Sequence, residues 1–139
     1  MSSPQNVAEP LYTQLTSGGG GALNTALGGR IYEHEAPQDT ALPLLVYSLV
    51  ADPVMRHFSN ITYNVQVHLD LFVAKSAGMS AAAGGGTLEE TLFSTLDGVS
   101  LTVSGQDRGV IRVTNRGPRT IEGDAIRVSM DAEIQGTTT

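Results

Sequence analysis

The sequence predicts an α+β fold in a single domain over 1–139: a mainly antiparallel sheet, with an N-terminal helical hairpin and one further helix packed on it. Three observations carry this. Two short helical periodicities open the chain, strand-like alternation then dominates, and one well-capped helical stripe interrupts it. A chain of 139 residues, 40% hydrophobic and 16% charged, has enough apolar material for one core.

Val7, Leu11 and Leu15 recur at helical spacing, and Asn6 with Glu9 forms a capping-box-like start. Pro10 falls in the first turn, where its missing N–H costs least. Gly18 to Gly21 stop this helix as a flexible joint. A second apolar face of Ala22, Leu23, Ala26 and Leu27 is ended by Gly28-Gly29, so the hairpin covers 5–28. Neither glycine cluster is followed by a lysine at P-loop spacing or completes G-x-G-x-x-G, so neither reads as a phosphate cradle.

Gly28 to Tyr47 reads as a helix stop, a short strand, a rigid turn at Ala36-Pro37-Gln38 and a buried strand. Residues 42–51 are apolar on both alternating faces, which suits a central strand in the middle of the core. Asp52-Pro53 breaks it, and a polar connection over 53–60 follows. The clearest alternation comes next, in Ile61, Tyr63, Val65, Val67, Leu69, Leu71 and Val73, with Asn64, Gln66, His68 and Asp70 on the wet side. At ~3.3 Å per residue this strand would run about 40 Å, so it is expected to project past its own domain and to need a partner there.

Residues 76–86 are small, uncharged and glycine-rich, the composition of a mobile loop. Thr87 and Glu90 form a capping box, Leu88, Leu92, Phe93 and Leu96 form a stripe, and Gly98 takes the left-handed C-cap, giving a helix over 88–97. Strands follow near 99–104, 108–116 and 125–134, the last pointing Ile126, Val128, Met130, Ala132 and Ile134 inward. Thr137 to Thr139 read as a fraying tail.

Chemistry is sparse. The chain has no cysteine, which removes disulfides, thiolate nucleophiles and cysteine-ligated metals. A net charge of −6 argues against tight sequence-independent DNA binding, which needs clustered cations. The N-terminus lacks the basic and apolar regions of a signal peptide, so synthesis in a cytoplasm is expected. No apolar run approaches the ~18–20 residues of a spanning helix, so no membrane partner is expected. His34 lies between Glu33 and Glu35, which alternation puts on the opposite face. His57 is beside Arg56, which suits neither a metal ligand nor a base. His68 shares its face with Gln66 and Asp70. The Glu89-Glu90 pair is accounted for by the helix dipole. The expectation is a protein without catalytic, metal or cofactor residues, and not an enzyme.

One charge pattern stands out. Arg108, Arg112 and Arg116 fall on one face of the 108–116 strand, ~13 Å apart at strand rise, while Asp131 and Glu133 take the outward face of the last strand. Two readings stay open: cross-strand ion pairs within one subunit, or arginine forks bridging to a neighbour's acidic face. DNA contact ranks third, because the net charge opposes it.

The helical pair, the Gly28-Gly29-Arg30-Ile31-Tyr32 and Ala36-Pro37-Gln38 segments, the long alternating strand and the helix after it resemble the tail completion, or tail terminator, proteins of long-tailed phages. The sequence departs from that pattern at Leu44, where an aromatic is expected, and in the glycine-alanine insertion at 77–86. The resemblance implies a virion part made in the host cytoplasm, forming a ring, a homohexamer, at the head-proximal end of the tail tube. Its partners would be copies of itself, the tail tube protein and the head connector or stopper protein, with DNA only as cargo passing through the lumen. Interface residues are expected at Arg56 and His57, in the 76–86 loop, at His68 and Asp70, along Arg108, Arg112 and Arg116, and at Asp131 and Glu133. The alternatives are a head-completion or connector subunit, and a small-molecule-binding or enzymatic domain with a pocket between helices and sheet.

Overall fold

The structure is a computed structural model that describes residues 8–38, 40–51, 54–56, 61–75, 85–102 and 108–138. Helix α1 (Ala8–Ser17) runs through a tight 3-10 turn at Gly18–Gly21 into α2 (Ala22–Leu27). The strands are β1 (Ile31–Glu33), β2 (Leu44–Ala51), β3 (Val54–Arg56) and β4 (Ile61–Ala74), then β5 (Val99–Thr102), β6 (Arg108–Glu122) and β7 (Ala125–Thr138). Helix α3 (Gly85–Leu96) separates β4 from β5. The α+β class, the mainly antiparallel sheet and the helical pair are as the sequence predicts.

The sheet order is β1-β2-β4-β7-β6-β5, with β3 also on β4. Every pairing is antiparallel except β1 with β2. The middle of the sheet is therefore β4 and β7, and not β2 as expected. β4 does not project unpaired either, because β7 matches it residue for residue from Ile61 opposite Thr138 to Ala74 opposite Ala125. Thr137 and Thr138 of the expected fraying tail are part of that ladder, opposite Thr62 and Ile61, and Thr139 lies outside the described residues. β2 ends at Ala51 and β3 resumes pairing on the same side of β4 from Val54, while the expected break at Asp52-Pro53 lies outside the described residues.

Leucines of the helices meet the inward side of the sheet. Leu11, Leu15, Leu23, Leu27, Leu88, Leu92 and Leu96 are fully or nearly fully buried, against Leu45, Tyr47, Val67, Leu69, Leu71, Met130 and Ile134. At ~25 cal/mol per Å² such side chains each contribute about 1.5–3 kcal/mol on burial, so this layer dominates the stability of the fold. Burial pushes the Tyr47 hydroxyl up to about 12, with Glu33 and Tyr12 adding to the shift.

Both helix stops work as the sequence reads. Gly28 and Gly29 have φ of 61° and 78°, and their N–H groups donate to Thr25 and Asn24 carbonyls, a Schellman closure. Gly98, at φ 75°, turns the chain from α3 into β5 and donates to the Ile111 carbonyl at 2.9 Å. The Gln14 amide donates to the Thr95 carbonyl at 2.7 Å, fastening α1 to α3.

Candidate interaction surfaces

The sheet face away from the helices is polar along the middle of β4 and β7, and apolar at the end where Leu44, Val46 and Phe72 lie. Successive rungs of β4 and β7 pair Asn64 with Gln135, Gln66 with Glu133, His68 with Asp131, and Asp70 with Ser129. Period-2 alternation produces this: the residues between these are the buried Val65, Val67, Leu69 and Met130. The side chains satisfy one another. Gln66 Nε2 donates to Asn64 Oδ1 at 2.8 Å and to Glu133 Oε2 at 3.3 Å, and Gln135 Nε2 donates to Glu133 Oε1 at 3.0 Å. Ser129 Oγ donates to Asp70 Oδ1 at 2.8 Å.

His68 lies between two carboxylates, with Nδ1 2.7 Å from Asp131 Oδ1 and Nε2 3.1 Å from both oxygens of Asp70. An imidazolium donates from both nitrogens and suits this arrangement better than either neutral tautomer. The Asp131 hydrogen bond raises its pKa above the ordinary histidine value, partial burial opposes the rise, and Asp70 supports it. Among the described residues no group of three or more histidines and carboxylates is arranged to hold a metal ion.

The arginine strand differs from its expected geometry. Register shifts between Val113 and Asn115, and between Arg116 and Arg119, insert extra residues into β6. Arg112 lies opposite Glu133 on the polar face, whereas Arg116 lies opposite Met130 on the helix face. Arg108, Arg112 and Arg116 therefore do not share one face, because a one-residue bulge at Thr114 reverses the alternation. Arg116 instead reaches α3: Nε is 3.4 Å from Glu89 Oε1, Nη2 contacts Glu90 Oε1, and the guanidinium lies 4.8 Å over the Phe93 ring. Arg119 Nη2 donates to Glu89 Oε2 at 2.8 Å.

Glu89 and Arg119 were not singled out from the sequence as partners. The helix dipole accounts for a carboxylate at this end of α3 without a partner, yet the Glu89 side chain is only 6% exposed and holds two arginines. Gly117-Pro118 carried the missing signal, since glycine and proline inside a strand mark a bulge. Arg108 belongs to the backbone of β6 and Arg56 to that of β3, while His57 and residues 76–84 lie outside the described residues. The sequence-predicted site residues thus divide. His68, Asp70, Asp131 and Glu133 come together on one polar face with Arg112 beside them, and Arg116 is on the other.

The two sheet edges differ as well. β5 covers only residues 108–111 of β6, so 112–122 has no further strand beside it among the described residues. On the opposite edge β1 ends in a tight turn. Glu35 N–H donates to the Glu33 carbonyl at 2.8 Å around His34, whose φ is 68°. That is the strained form of the γ-turn, and it exposes Glu33, His34 and Glu35 together.

No protein-family model and no curated protein matches the chain. Among solved structures, a chain from the virion of a native gene transfer agent particle is similar over 92% of both chains, at 17% identity and a TM-score of 0.69. A second solved structure is similar over 96% of both chains, at 12% identity and a TM-score of 0.61. These likenesses establish a shared fold.

Proposed function

We propose that the chain is a virion structural protein and, within that class, a tail terminator that closes into a ring at the head-proximal end of a tail tube and presents a face to the head connector. The observation that carries this reading is the match in fold, across nearly the whole of both chains, to a component of a gene transfer agent virion. The tail-completion resemblance of the helical pair, the segments after it, the long alternating strand and the following helix supports the narrower role. The polar sheet face also supports it: its carboxylates are held by neighbouring amides, hydroxyls and one histidine, so a surface of this chemistry can face passing nucleic acid without gripping it. No bond is made or broken in this role.

The test is electron microscopy of labelled protein added to tail tubes and to tailless heads. Decoration of one tube end, with sides bare, is the expected result. Decoration of tailless heads alone would replace the tail role by a head-completion one. A saturable thermal stabilisation by a small molecule, with no binding to either particle, would overturn the structural reading.

A further inference from the structure

The two edges of the sheet differ in their free charges: on β6, Glu89 and Glu90 hold Arg116, Glu89 also holds part of Arg119, and Asp97 Oδ1 accepts from the Val113 N–H, which leaves Arg112 and part of Arg119 as the available cations. Four of the chain's eight cations, Arg108, Arg112, Arg116 and Arg119, lie on β6, although the chain as a whole is at −6. Arg112 is exposed, with no ion pair among the described residues, and Arg119 keeps 54% of its side chain exposed while one nitrogen holds Glu89. Across the sheet, the turn after β1 exposes Glu33 and Glu35.

Strand direction fits as well as charge. β1 runs parallel to β2, and β2, β4, β7 and β6 alternate in direction, so β1 is antiparallel to β6. A neighbour generated by rotation about an axis roughly along the strands then brings its β1 edge antiparallel to the uncovered length of β6. We propose that in the assembled protein the 112–122 edge of one copy meets the β1 edge of the next, Arg112 and Arg119 facing Glu33 and Glu35. The inference rests on the ring reading and names its lateral contact, which is heterologous and so able to close.

The contact is carried by side chains more than by a shared backbone ladder. Two register shifts and Pro118 interrupt β6, while β1 already spends the Ile31 N–H on the Gly29 carbonyl and the Glu33 carbonyl on the Glu35 N–H. Bulges and prolines of this kind are how edge strands avoid indiscriminate pairing. Charge then selects the partner, and arginine forks suit carboxylates at an interface.

Because the chain has no cysteine, paired cysteines can trap the contact. Thr114→Cys with Ala36→Cys in one chain, mildly oxidised at high concentration or on tube ends, should give a ladder of covalent oligomers ending at a fixed size. Ser94→Cys with Ala36→Cys, which puts one thiol on exposed α3, should not. Arg112→Glu or Glu35→Arg alone should lower the ladder ~5-fold or more through like-charge repulsion, and the two together should restore it. Oligomers seen by mass photometry or at tube ends without a ladder would overturn the edge contact and leave the ring standing. A monomer in both settings would overturn both. An equal ladder from the control pair would mark random collision and also overturn the proposal.

Discussion

Replacing Glu89 by glutamine tests whether burial, more than ion-pair count, sets the strength of the β6 to α3 contact. Glu89 and Glu90 both contact Arg116, but their side chains are 6% and 65% exposed. Removing one partner of a fully buried pair costs about 3–5 kcal/mol. Here the arginines are 34% and 54% exposed and can recover water, so the Glu89→Gln cost is reduced to about 2–3 kcal/mol. Glu90→Gln breaks an exposed pair and should cost under about 0.5 kcal/mol.

Urea unfolding followed by circular dichroism reads both. With m near ~2 kcal/mol/M, Glu89→Gln should move the midpoint down by about 1 M at unchanged m. The melting temperature should fall by roughly 6–12 °C for a domain of this length. A double-mutant cycle between Glu89→Gln and Arg119→Ala should return a coupling of about 1 kcal/mol. If the Glu89 and Glu90 variants lose stability equally, or Glu89→Gln is neutral, the buried contact is not what holds the bulged strand.

Three further outcomes are expected. His68 has a raised folded pKa, so its stabilisation is complete below about pH 6.5 and is lost as pH rises through the folded value; His68→Gln should flatten that loss, and a histidine NMR titration at or below the ordinary midpoint would refute it. Gly98→Ala should cost about 1–2 kcal/mol from φ of 75° alone, since a Cβ there meets nothing within 4 Å; calorimetry showing no loss would contradict the cap. His34→Gly should fall within about 0.5 kcal/mol of the parent, because relief of positive φ offsets glycine's entropy, whereas His34→Val should cost over about 1 kcal/mol; equal melting temperatures would remove the strained turn from the account.

What the sequence made legible was local. The alternation through Val65, Val67, Leu69, Leu71 and Val73 and the closures at Gly28 and Gly98 depend on neighbours a few residues apart, and each appears where expected. Partner choice was not legible. β4 meets β7 some 60 residues later, and nothing in either run of alternation says that the other will match it end to end. Three residues of β3 are too few to show a period, so 54–56 read as connection. Of the candidate residues, His68 and Asp70 follow from alternation on β4, and Asp131 and Glu133 from alternation on β7. Arg116 could not be placed without seeing that the extra residue at Thr114 reverses the side chains from there to the second register shift before Arg119.

That reversal bears on how such a subunit would associate. Without the bulge, Arg112 and Arg116 would share one face along the edge that β5 leaves uncovered, and a regular edge of that kind templates open-ended strand addition. With it, Arg116 turns inward onto α3, Arg112 stays on the polar face, and the backbone between them is out of register with any regular partner. What remains for a neighbour is a few side chains of defined charge at a defined angle, opposed by an edge whose own turn has already used part of its hydrogen-bonding capacity. An interface of that kind accepts one orientation and ends when the rotation closes. A part whose proposed task is to stop a polymer needs closure and not continuation, and the irregularities of β6 are what separate the two.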